Sequence, residues 1–161
     1  MENLLDNKIV ELLNYRVQQE EYSARLYMQM SLWLDNKGYK HISKLYKDYA
    51  QEEREHAGWA CEFLLNHGVT PELSTLESPY VEYKDCMEVL EDTLTHEKEI
   101  LKQCEELAQK AGELKSYALQ SLAFKYCEEQ VDEIGKALDL LDHAKLTSDM
   151  LVLDHYVERY L

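Results

Sequence analysis

The chain has 161 residues, with 17 basic against 32 acidic side chains and a formal charge of −15. Nucleic acid and anionic membrane surfaces both demand clustered Lys and Arg, so this balance argues against either partner and points to cations. At 45% hydrophobic, with five Gly and two Pro, the chain is expected to form one domain over residues 1–161, which makes disorder and all-β folds poor readings.

Met1 to Arg16 mixes Glu2, Asp6 and Glu11 with apolar residues and has no signal-peptide pattern; no run of 18 apolar residues follows anywhere. The expected location is cytoplasmic, with no membrane span. Cys61, Cys86, Cys104 and Cys127 lie 25, 18 and 23 residues apart, which is neither a CxxC metal pair nor a small disulfide framework. They are expected to be reduced, several of them in the core.

A first helix is predicted over 6–35, broken by Asn36, Lys37 and Gly38. Stepping three and four residues alternately, its core stripe reads Leu13, Val17, Glu20, Ala24, Tyr27, Ser31, Leu34. A second helix over 40–67 gives Ile42, Tyr46, Tyr49, Glu53, His56, Ala60, Phe63. Then comes the only long loop, Gly68 to Lys84, which holds Pro71 and Pro79. A third helix, 84–111, gives Cys86, Leu90, Leu94, Glu97, Leu101, Cys104, Ala108, and ends at Ala111 and Gly112. The fourth, 114–145, gives Leu119, Ala123, Tyr126, Gln130, Glu133, Ala137, Leu140. After Leu146 to Ser148 a fifth, 148–159, carries Met150, Leu151, Leu153, Val157 and, just beyond it, Tyr160. It is too short to be stable without something to dock against.

The short breaks permit only antiparallel neighbours. The loop of roughly 16 residues could reach about 50 Å, more than the ~42 Å of a 28-residue helix. Two helical hairpins joined by a full-length crossover make an all-α four-helix bundle with a short C-terminal fifth helix.

Every stripe is apolar or aromatic at its ends and carries a carboxylate near its middle. Residues equidistant from a tight turn meet in an antiparallel hairpin. The midpoint of Glu20 and Glu53 is 36.5, inside the first break, and that of Glu97 and Gln130 is 113.5, beside Gly112. Glu53 and His56 stand about 60° and ~4.5 Å apart on one helix face, and Gln130 and Glu133 share that geometry. Glu20, Glu53, Glu97 and Glu133 would bring four negative charges together, with no Lys or Arg at the central stripe positions. Two divalent cations would offset them, and carboxylates with one imidazole suit Fe(II) or Mn(II).

These residues resemble the di-iron site of the ferritin family: Glu20-Glu21-Tyr22-Ser23 and Tyr27, Gln51-Glu52-Glu53-Arg54-Glu55-His56-Ala57, His96-Glu97, and Glu129-Gln130-x-x-Glu133. Ser78-Pro79-Tyr80 also resembles bacterial non-haem ferritins. The resemblance implies a ferritin-like bundle with a ferroxidase centre. In it, Glu20, Glu53 and His56 hold one iron, and Glu53, Glu97 and Glu133 hold a second, with Gln130 beside them. Tyr27 would hydrogen-bond a ligand or supply an electron, with plain core packing as the alternative. A third, inner-surface iron maps to Glu52, Glu129, Asp132 and Glu133, where a solvated acidic face would look the same.

Departures from the relatives narrow the expectation. The fourth helix has no second ExxH, so the two metal positions should be unequal. Arg54 and Glu55 stand where a haem-ligating Met would be needed, so haem is not expected. Lys125, not Trp, precedes Tyr126, and there is no appended CxxC module. His41, His67, His96, His143 and His155 lack partners at ligand spacing and read as surface or capping residues.

The implied function is iron storage. Fe(II) is oxidised by O2 or hydrogen peroxide, and Fe(III) mineralises within a self-assembled shell of 24 subunits, for which the fifth helix argues by resemblance, docking within one subunit being the alternative. A small peroxidase-like di-iron enzyme without storage is the other reading.

Overall fold

The structure, a computed structural model, describes residues 4–161; Glu2 of the N-terminal reading lies outside the described residues. Five helices follow in order: α1 Asn7–Asn36, α2 Lys40–Asn66, α3 Cys86–Glu113, α4 Tyr117–Lys145 and α5 Met150–Tyr160. No strand occurs among the described residues, and no helix among them is long and apolar enough to cross a membrane. By contact density the chain forms two compact units. One joins the chain up to Gln29 with Tyr46–Tyr80; the other joins Met30–Leu45 with Val81–Leu161.

In the first unit, Asp6 starts α1, its carboxylate accepting from the Lys8 N–H at 2.7 Å. The stripe of α1 is buried here as the spacing predicts, through Leu13, Val17, Glu20, Ala24 and Tyr27. On α2 the matching stripe is buried at Tyr46, Glu53, His56 and Ala60, with Tyr49 and Phe63 half-buried. Tyr27 packs edge-on against Tyr46 and Tyr49, ring centres 5.9 and 6.0 Å away. The crossover is tied to α1 by its main chain: Glu72 N–H donates to Asn14 Oδ1 at 2.9 Å, and Gln18 Nε2 donates to Thr75 O at 2.8 Å.

The second unit contains the turn between α1 and α2. Gly38 takes φ +95°, which a side chain would resist, and Tyr39 N–H reaches back to Leu34 O at 3.0 Å. Ser31 and Ser43, centred on residue 37, then lock the hairpin reciprocally: each hydroxyl donates to the other's carbonyl, at 2.7 and 2.8 Å. Asp85 caps α3 by accepting from Glu88 N–H at 2.8 Å, while the Glu88 carboxylate accepts from Lys84 N–H.

One expectation needs correction in this unit. Gly112 does not end α3, which runs on to Glu113. A Cβ there would come 2.6 Å from Gln120 Nε2 on α4, the far end of a flexible side chain that can move aside. The left-handed residue of that turn is Lys115, at φ 53°. On α5, Leu153 and Val157 are buried, while Leu151 and Tyr160 are exposed. The α5 helix docks within its own chain. Buried Asp154 accepts from the N–H groups of His41 and Ile42, at 3.0 and 2.9 Å, at the start of α2. All four cysteines are free, Cys86 and Cys104 buried and Cys61 and Cys127 half-buried.

Candidate metal centre

Glu20 projects from α1, and Glu53 and His56 from consecutive turns of α2; all three are buried. Each offers one donor atom, and the three atoms lie within 4.8 Å of one another. His56 Nδ1 sits 3.2 Å from Glu53 Oε2 and 4.0 Å from Glu20 Oε2. The ring is braced by Trp59, with centroids 4.7 Å apart. Glu20 Oε2 is buried and takes part in no hydrogen bond, a costly state for a carboxylate oxygen unless a cation completes it. Two oxygen donors and one imidazole, with no thiol, suit a hard to borderline divalent ion.

Sequence reasoning missed one charged group. Arg16 is 1% exposed and places Nε 3.0 Å from Glu20 Oε1. It lies off the stripe, between Leu13 and Val17, so the absence of cations from the central stripe did not mean their absence from the core. The only available signal was its i,i+4 spacing to Glu20. One of the acids is therefore offset by protein rather than by metal.

In the second unit, α3 and α4 bring Glu97 and Gln130 level, as the midpoint at residue 113.5 predicts. Gln130 Nε2 donates to the Glu97 carbonyl at 3.0 Å and to the Glu97 carboxylate. Glu133, one turn along α4, is buried too. Gln130 thus acts on Glu97, holding the carboxylate in place. Of the acids read as an inner-surface site, Glu52 and Glu129 are half-buried and Asp132 is exposed. Glu52 and Asp132 join no metal-sized group among the described residues.

Of the other histidines, read as surface or capping residues, only His155 is exposed and the rest are half-buried. His41 pairs with Glu158 at 3.3 Å, His67 Nδ1 contacts Phe63 O at 2.7 Å, and His143 stacks on Tyr156. His155 is exposed and lies 3.5 Å from Glu158. His96 is half-buried. Beside the metal group, burial raises the Glu21 carboxyl above the usual carboxylate range.

A family model described as a ferritin-like domain matches residues 10–147. The chain belongs to the ferritin-like family. This ferritin-like chain is 36% identical over 139 residues to a probable bacterial non-heme ferritin-like protein of Haemophilus influenzae, covering 86% of this chain and 84% of that one. It is 30% identical over 143 residues to a bacterial non-heme ferritin of Escherichia coli O6:H1, covering 89% and 87%. Among solved structures it resembles an open pore ferritin from Archaeoglobus fulgidus, with a TM-score of 0.91, 30% identity and coverage of 95% and 96%. The fold is accordingly the all-helical ferritin-like four-helix bundle with its long crossover and short fifth helix.

Proposed function

We propose that this chain is an iron-storage ferritin and a ferroxidase: it binds Fe(II), oxidises it and keeps Fe(III) as mineral. The observation that carries the reading is the buried Glu20, Glu53 and His56 group, with donor atoms within 4.8 Å of one another, in a chain of the ferritin-like family. Fe(II) is the substrate. Two ions supply two electrons, which reduce one O2 to hydrogen peroxide or one peroxide to water, with two protons taken up. The protein supplies the donors, the open coordination positions and a dry surround.

Glu20, Glu53 and His56 hold the first iron. Glu53 bridges to a second iron held with Glu97 and Glu133, and Gln130 orients Glu97. The Gln130 to Glu97 hydrogen bond supports the orienting role, and the bridge by Glu53 rests on the resemblance. Tyr27, fully buried seven residues after Glu20, is assigned a hydrogen bond to a ligand or the supply of an electron. A third ion at Glu52, Glu129, Asp132 and Glu133, for transfer to the inner surface, is proposed on the resemblance alone, since Glu52 and Asp132 join no metal-sized group among the described residues. The absence of a Met ligand in α2 keeps the proposed cofactor set to iron, without haem.

Assembly into a 24-subunit shell completes the proposal. Tyr117, Phe124, Val131 and Leu138 recur every seven residues on α4, all exposed, an apolar stripe that a subunit contact would cover. The residues are proposed to work as one domain in the cytoplasm; α1 and α2 each run unbroken through both compact units.

The deciding experiment is stepwise aerobic addition of Fe(II), reading soluble iron per subunit and particle size on one sample. Storage predicts uptake far above the few ions the ligands can hold, in a large particle. Saturation near two per subunit in a small oligomer would make the chain a di-iron redox enzyme instead. Glu53→Ala should abolish the fast oxidation phase; oxidation at the parent rate would remove Glu53 from the bridging role.

A further inference from the structure

Arg16 is the point at which this chain departs from a centre made of acids and imidazole alone. No other Lys or Arg is buried among the described residues. A guanidinium at 1% exposure is costly without a counter-charge, and Glu20 supplies one at 3.0 Å. The pair commits Glu20 Oε1. Glu20 Oε2 is the oxygen left over, buried, in no hydrogen bond, and 4.0 Å from His56 Nδ1. Glu20 therefore has one oxygen for the guanidinium and one for an ion.

The same geometry sets a charge preference. A fixed positive charge next to a ligand repels any cation bound there, and the repulsion scales with the ion's charge. A trivalent ion suffers it half again as much as a divalent one, and low solvent access keeps screening small.

We propose that Arg16 is a positioning residue that holds Glu20 to a single donor oxygen and biases the Glu20, Glu53 and His56 position against Fe(III), so that the oxidised ion leaves for storage. This inference rests on the ferroxidase reading. It predicts a weaker grip on divalent ions than the three ligands alone would give, accepted in exchange for release of the product.

The test uses the full-length, iron-free protein and Co(II), a redox-stable divalent probe followed by its visible absorption. R16Q keeps a donor for Glu20 and R16M keeps the apolar stem, and both remove the charge; R16K keeps the charge. R16Q and R16M are expected to bind Co(II) about tenfold more tightly than the parent, and R16K to match it. After one turnover of isotopically labelled iron, Mössbauer spectra should show more Fe(III) retained at the centre in R16Q. Loss of packing alone would weaken binding, the opposite sign. Unchanged or weaker Co(II) binding in whichever of R16Q and R16M keeps the parent's helical signal would overturn the proposal. A parent protein that binds no Co(II) would instead sink the metal-centre reading itself.

Discussion

The carboxylate of Asp154 on α5 accepts two backbone N–H groups, those of His41 and Ile42, at the start of α2. A side chain more than a hundred residues away thus does the work that a local N-cap residue usually does. Asp154→Ala is expected to lower stability by about 2 kcal/mol, near the top of the range for cap losses, because it leaves two N–H groups unpaired, that of Ile42 buried and that of His41 part-buried. Urea unfolding checks it, and Asp154→Asn, which keeps one acceptor oxygen, should fall between the two. A midpoint unchanged in the alanine variant would show that α5 is held by Leu153 and Val157 alone.

Gln130 ties the Glu97 carboxylate to α4. Gln130→Leu leaves a buried carboxylate short of a donor, at a cost of roughly 1–3 kcal/mol in the metal-free protein. A bound ion would restore the balance, because ligands stabilise the state that binds them. Addition of Zn(II) should therefore raise the unfolding temperature of the variant by more than that of the parent. Equal rises would mean that Glu97 takes no part in holding the ion.

Burial, reinforced by Asp154 and Asp85, pushes the Cys86 thiol from its ordinary 9.0 up to about 12. The folded chain keeps this proton where the unfolded chain releases it. The associated stability is thus complete below pH 9 and is lost as pH rises to 12, by ~4 kcal/mol across the window. In Cys86→Ala the fall of the urea midpoint between pH 8.5 and pH 11 should be shallower than in the parent. Parallel curves would contradict the assignment.

If the α4 stripe is covered in a shell, a charge within it should block assembly. Val131→Glu, at an exposed position, is expected to give smaller particles by light scattering while retaining its helical signal. A particle of parental size would place the contact elsewhere.

Much of this was readable in advance because helical spacing forces burial. On α4 every stripe residue from Leu119 to Leu140 is buried, and on α3 only Leu94 and Leu101 are half-buried. The levelling of Glu20 with Glu53 and of Glu97 with Gln130 was equally legible, since a tight turn fixes the register of an antiparallel pair. What escaped has no periodicity. Arg16 lies off the stripe, and its charge meets that of Glu20 one turn on. Asp154 meets α2 through a long-range contact to backbone, which leaves no pattern in the residues between. Gly112 resembles a stop signal because glycine often ends helices, yet α3 runs through it to Glu113. The left-handed position went instead to Lys115, a residue type that gives no hint of it.

The grip of Asn14 and Gln18 on the crossover has an evolutionary side. Both contacts fall on the main chain, at Glu72 N–H and Thr75 carbonyl, so any residue but proline at position 72 keeps the first and any residue at position 75 keeps the second. Leu73, largely exposed between them, is likewise spared from anchoring. Substitutions can therefore change the exposed face of this stretch while the path of the chain stays put.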